Sequence, residues 1–133
     1  MKKILGIGII LFLIAATQLQ AQRIQKMDFR NQKITDILMV LADMGQQSII
    51  VDDTVTGMAT FHFTDSNFEL SLFSFLDACK LFCIKKDNTY YVSRIKIDFS
   101  NEKQLADIYA EDVEIEKITK ALSRSFGKTI LYD

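Results

Sequence analysis

The side chains able to do chemistry in this chain are few and scattered. His62 is the only histidine. General acid–base work needs a partner group within hydrogen-bonding reach, and the spacing around His62 implies neither a carboxylate nor a serine paired with it. Its alternation with Phe61 and Phe63 sets it on the outer side of a strand instead. Asp52 and Asp53 are adjacent carboxylates, but the spacing of oxygen ligands in a calcium loop is missing, so they read as turn-capping residues. Cys79 and Cys83 are the two thiols. At i, i+4 they share one side of a helix, where Cα and Cβ geometry suits a disulfide poorly. They read better as small buried apolar residues than as a bridge, and with one distant histidine they make a poor metal site. Ser123 and Ser125 lack the glycines of a nucleophile elbow, and no Gly-rich phosphate loop is present. These residues point to no catalysis, cofactor, metal or small-molecule substrate. The expectation is a chain that is not an enzyme.

The elements that carry these residues follow from hydrophobic period. Gln25 to Arg30 can run extended, with Met27 and Phe29 pointing one way. Asn31 is positioned as an N-cap for a helix whose stripe is Ile34, Ile37, Leu38, Leu41 and Met44, and Gly45 stands where a left-handed terminal residue would stop it. The β-branched run Ile49, Ile50, Val51 predicts a strand, and Asp52 with Gly57 supplies the turn after it. From Met58 to Thr64 the period is two. Ser66 and Glu69 have the spacing of a capping box, ahead of a second helix lined by Phe68, Leu72, Phe75, Leu76 and Cys79. Phe82 to Lys86 and Thr89 to Arg94, joined by Asp87 and Asn88, read as a hairpin. The expected core is Phe29, Ile34, Ile37, Leu38, Leu41, Ile49, Val51, Phe61, Phe63, Leu72, Phe75 and Leu76. The expected class is α+β: a small β-α-β-β-α-β-β domain with two helices packed on short mixed or antiparallel sheets.

A phrase in the first unit recurs 81 residues later. Ile34 to Asp52 and Ile115 to Asp133 share Ile34/Ile115, Ile37/Ile118, Leu41/Leu122, Ile49/Ile130 and Asp52/Asp133, five identities in 19 ungapped positions. A repeat of that period predicts tandem small domains, the second an incomplete β-α-β unit. The charged stretch Glu111 to Lys120 suits a solvated helix face, with Glu116 and Lys120 spaced to pair. The expected organisation is a segment over 1–21, a domain over 22–99, a linker over 100–104 and the start of a second, related domain over 105–133. On this reading the chain is the front of something longer. Residues 25–97 should fold alone, and 105–133 should be only marginally ordered.

The first 21 residues follow a different rule. Lys2 and Lys3 precede a 13-residue apolar run, Ile4 to Ala16, and a short polar stretch ends at Ala21. That is the layout of a secretory signal peptide, and the run is too short to span a bilayer. Both lysines leave with it, so 14 basic residues face 17 acidic ones, a net charge of −3. No concentrated positive face is available for nucleic acid.

Phe29 to Ile95 resembles the short N-terminal domain shared by secretins and TonB-dependent transducers. The pattern opens on a strand aromatic (Phe29) and the stripe Ile34, Ile37, Leu38, Leu41. It continues through Gly45, a strand ending in Asp52, Gly57, an alternating strand, a helix marked by Phe68, Leu72 and Leu76, and a final hairpin. Lys80 stands where the family often has Gly, and Cys79 and Cys83 are outside the pattern. The resemblance implies a non-enzymatic periplasmic interaction domain of an outer-membrane secretion or pilus channel. Its partners would be its own subunits and inner-membrane secretion components, with the membrane reached only through parts C-terminal to Asp133. The related implication is a signalling domain of a TonB-dependent transducer that binds an anti-sigma regulator. The secretin reading is preferred because a second related domain follows directly. Ring packing and strand addition at an exposed sheet edge both fit the sequence.

Overall fold

The computed structural model describes residues 23–100 and 105–130. The expected signal peptide, residues 101–104 of the expected linker, and Leu131 to Asp133 lie outside them. Strands β1 (Arg23–Ile24) and β2 (Met27–Lys33) lead into helix α1 (Ile34–Gly45), followed by β3 (Ser48–Val51), β4 (Met58–Phe63) and β5 (Ser66–Asn67). Helix α2 (Phe68–Ala78), β6 (Phe82–Lys86) and β7 (Thr89–Ser93) come next, then β8 (Ile95–Ser100), β9 (Leu105–Ala110) and helix α3 (Ile115–Phe126). The class is α+β, with short sheets of both senses. β2 pairs antiparallel with β4, and β1 with β5. β7 is the centre of a three-stranded sheet, parallel to β3 and antiparallel to β6.

One apolar cluster joins these layers. Ile34, Ile37, Leu38 and Leu41 of α1 meet Leu72, Phe75 and Leu76 of α2, Phe63 of β4, and Tyr90 and Val92 of β7. Phe29, Ile49, Val51 and Phe61 are half-buried and pack against that cluster. Phe61, Phe63 and Phe75 form its aromatic part, with Phe61 edge-on to Phe75 at 5.2 Å between centroids. Ile24, Val55, Phe68 and Leu81 are also buried in it, beyond the expected core. Ile24 is fully buried although its strand is two residues long, too short for any period to reveal.

The local rules for caps fail in three places, each for the same reason. Asn31 does not cap α1. It sits at a bulge in β2 with φ 48°, and its backbone N–H donates to Thr60 Oγ1 at 3.0 Å. The N-cap position belongs to Lys33, and the first helical amide, Ile34 N–H, donates to the Gly57 carbonyl at 3.1 Å. A long-range carbonyl thus satisfies a donor that the sequence rule assigns to a neighbouring side chain. Gly45 is not the left-handed terminator either; Gln46 is, with φ 47°. Gly45 stays helical and buried because the Phe68 ring lies where its side chain would be. Nor do Ser66 and Glu69 form a capping box. Asn67 is the cap, its Oδ1 accepting from Leu70 N–H at 2.8 Å. Ser66 is held in β5 and shares a 2.6 Å hydrogen bond with Ser71, while Glu69 turns to Lys85 and Tyr90. Gly57 does take positive φ, 105°, and Asp52 Oδ1 accepts from Thr54 N–H at 2.9 Å in the turn.

Ile95, Ile97 and Phe99 continue the chain as β8, which pairs antiparallel with β9 from Ile95↔Ala110 to Ser100↔Leu105. The expected domain boundary over 100–104 thus lies between two strands that pair with each other. Helices α1 and α3, which carry the recurring phrase, each have 12 residues, start on Ile34 and Ile115, and end on a left-handed C-cap, Gln46 and Gly127. Their burial differs. α1 buries four of its apolar residues, whereas Thr119 is the buried residue of α3 and Ile115 is exposed.

Candidate interaction surface

Along β7 the side chains alternate between the two faces of the three-stranded sheet. Tyr90 and Val92 turn into the core, and Tyr91 turns out. Register then decides what lies beside Tyr91. Ile50 of β3 and Ile84 of β6 are its direct partners on either side, so the three form an apolar row across the outer face. They are 49%, 43% and 68% exposed in the order Ile50, Tyr91, Ile84. β8 and α3 rise beside this row and convert it into a groove of about 700 Å³, with Ile97, Ala121 and Arg124 among its walls.

The wall is fastened to the sheet by contacts of several kinds. Lys80 pairs with Glu111, Lys117 Nζ donates to the Asp53 carbonyl at 2.8 Å, and the rings of Phe82 and Tyr109 lie 6.5 Å apart. Phe99 of β8 meets Phe126 of α3 edge-on at 5.5 Å. The pair expected from Glu116 and Lys120 is not formed among the described residues. Within the lining, Lys96 is engaged by Asp98 at 2.5 Å, whereas Arg124 has no ion-pair partner among the described residues.

The residues that could do chemistry are tied to the scaffold. His62 does have a carboxylate partner, contrary to the spacing argument. Asp28 is its register partner across β2 and β4, and His62 Nδ1 lies 2.5 Å from Asp28 Oδ1. That hydrogen bond holds the Asp28 carboxyl below its usual range against the opposing effect of desolvation. Both side chains are exposed, which suits a cross-strand pair better than a water-excluded reaction site. Glu69 Oε1 accepts from Lys85 Nζ and from the Tyr90 hydroxyl, both at 2.7 Å. These bonds, the Lys85 one foremost, lower the Glu69 carboxyl and clasp α2 to the β6–β7 hairpin. Cys79 and Cys83 are free thiols, and burial pushes both above the usual thiol range. A thiol shifted that way is a poor nucleophile. Among the described residues no three His, Cys, Asp or Glu side chains gather as a metal site, and no helix is long and apolar enough to cross a membrane.

Sequence reasoning missed the groove altogether. Its floor depends on the strand order β3-β7-β6, in which a parallel neighbour is brought in from 41 residues away. The available signal was modest: Ile50, Ile84 and Tyr91 are apolar residues on the wrong phase of strands whose other phase is core.

No family model matches the chain, and no curated protein matches it. Among solved structures the chain is similar to the N0 domain of the type II secretin from enterotoxigenic Escherichia coli. The two are 14% identical, the match covers 56% of this chain and 98% of that one, and the TM-score is 0.49.

Proposed function

We propose that this chain is an exported, non-enzymatic interaction module of a secretin-like outer-membrane channel, working in the periplasm through contacts with its own subunits and inner-membrane components. The observation that carries the reading is the order of elements from Phe29 to Ile95, with aromatic, stripe and turn residues at the positions of the secretin and TonB short N-terminal domain. The exposed apolar row Ile50–Tyr91–Ile84 supports an interaction role, since water-facing apolar patches of this kind mark contact sites. The organisation follows: 22–99 as one domain, and 105–133 as the start of a second, whose helix α3 buries Thr119 among the described residues.

Ile24 bears on the export step. It is fully buried, and Arg23 makes a two-pronged pair with Asp65 at 3.1 and 2.8 Å. Removal of residues 1–21 leaves both in place; cleavage three residues later would empty a core position. Outer membrane solubilised in mild detergent and separated by size is expected to carry the chain in a large complex. N-terminal sequencing of that material is expected to begin at or near Gln22. Recovery of the intact Met1 species from the cytoplasm would contradict the proposal.

A further inference from the structure

A second exposed apolar feature lies away from the groove. Leu70 and Phe73 stand on the water side of α2, 59% and 48% exposed, with Asp77 one turn further along the same ridge. Spacing of three and four places these side chains on one line along the helix. None of them serves the core, which α2 meets through Phe68, Leu72, Phe75 and Leu76. The Asp77 carboxylate has no side-chain partner among the described residues. Two surfaces therefore stand open in one chain: a ridge of two apolar knobs followed by Asp77, and a groove whose lining carries Arg124, unpaired among the described residues, beside the mutually paired Lys96 and Asp98 and an Asp52 that is held by Thr54. An apolar ridge on a helix is the shape that fills a groove of this kind.

We infer that the α2 ridge of one copy docks into the sheet–α3 groove of a second copy, with Leu70 and Phe73 over Ile84 and Tyr91 and Asp77 against Arg124. The proposal rests on the reading of the chain as an interaction module and names the surfaces through which it meets itself. Because the two patches differ, the contact is head-to-tail, and each copy keeps one patch open for the next. The arrangement therefore builds a ring or a growing series and does not stop at a two-fold dimer. The Asp77–Arg124 pair sets the register, since a reversed ridge would carry Asp77 away from Arg124.

Sedimentation velocity on the full chain, purified as the cell processes it, tests this. The expected result is reversible association that rises past dimer with concentration. Phe73→Asp and Ile84→Asp should each weaken it by about tenfold or more, since each removes a central apolar anchor. Asp77→Arg and Arg124→Asp should each weaken it several-fold, and the two together should restore it. All four positions are exposed, and circular dichroism with a thermal midpoint establishes that each variant is folded. A chain that stays monomeric, association that ends at dimer, or association indifferent to Phe73→Asp and Ile84→Asp would overturn the inference. Envelope fractionation is independent of these outcomes. Processed protein in the outer membrane with no self-association would defeat the surfaces and leave the export reading standing; self-association by an unprocessed cytoplasmic chain would do the reverse.

Discussion

Replacing Phe75 with alanine is expected to remove about 3–5 kcal/mol of stability, the cost of emptying a ring-sized volume in a packed core. Phe75 is fully buried on the inner face of α2. Its ring meets Phe61 at 5.2 Å and Phe63 at 5.7 Å, so the substitution breaks two aromatic contacts and leaves β4 without its support from the helix. Aromatic pairs add roughly 0.5–1.5 kcal/mol beyond the area they bury. A domain of this size has about 5–15 kcal/mol in total, so the variant should sit near the edge of folding. Phe73 is the internal control: two residues away and exposed, it should tolerate alanine within about 0.5 kcal/mol. Urea unfolding of both variants measures the difference. A loss below about 1 kcal/mol for Phe75→Ala would mean that α2 presents another face to the sheet.

Gly45→Ala reverses the usual sign for a helical glycine. Helix propensity alone favours alanine by about 1 kcal/mol. Here a Cβ would stand 2.1 Å from Phe68 Cδ2 and 2.6 Å from Cε2. The Phe68 ring cannot swing aside freely, being 5% exposed and edge-on to the buried Tyr90 ring at 5.5 Å. Overpacking of this kind costs about 1–3 kcal/mol, and occasionally more, so the clash outweighs the propensity. The expected outcome is a lower thermal midpoint by several degrees, at roughly 4–8 °C per kcal/mol for a domain this small. A midpoint equal to or above that of the parent would show that α1 does not end against Phe68.

Both residues were visible in the sequence, but for unequal reasons. Phe75 belongs to a stripe of period 3.6, and such stripes identified α1, α2 and most of the core. Local chemistry reads Gly45 as a helix terminator, whereas its importance lies in a contact with a residue 23 positions away. The same division runs through the other departures. Local capping chemistry assigns caps to Asn31, Ser66 and Glu69, while the structure satisfies Ile34 N–H with a distant carbonyl and sends Glu69 to Lys85 and Tyr90. His62 found Asp28 through strand register, which spacing along the chain does not encode. The groove is further out of reach, because it needs residues from Ile50 to Ser125 placed around one sheet. What is local and periodic could be read; what depends on the pairing of distant strands could not.

The central proposal is that the unit over 22–99 is followed by a second, related unit over 105–133. Repeat-related positions in α1 and α3 should then differ sharply in stability, since Leu41 is fully buried and its counterpart Leu122 is only half-buried. Amides in elements with few buried apolar contacts exchange through local opening, whereas core amides exchange only on global unfolding. Native-state hydrogen exchange on the processed chain, at a concentration low enough to keep it monomeric, compares the two helices directly. The account predicts strong protection across residues 34–51 and weak protection across 115–130. Equal protection in both segments would mean that α3 is integral to a single fold and that the tandem reading is wrong.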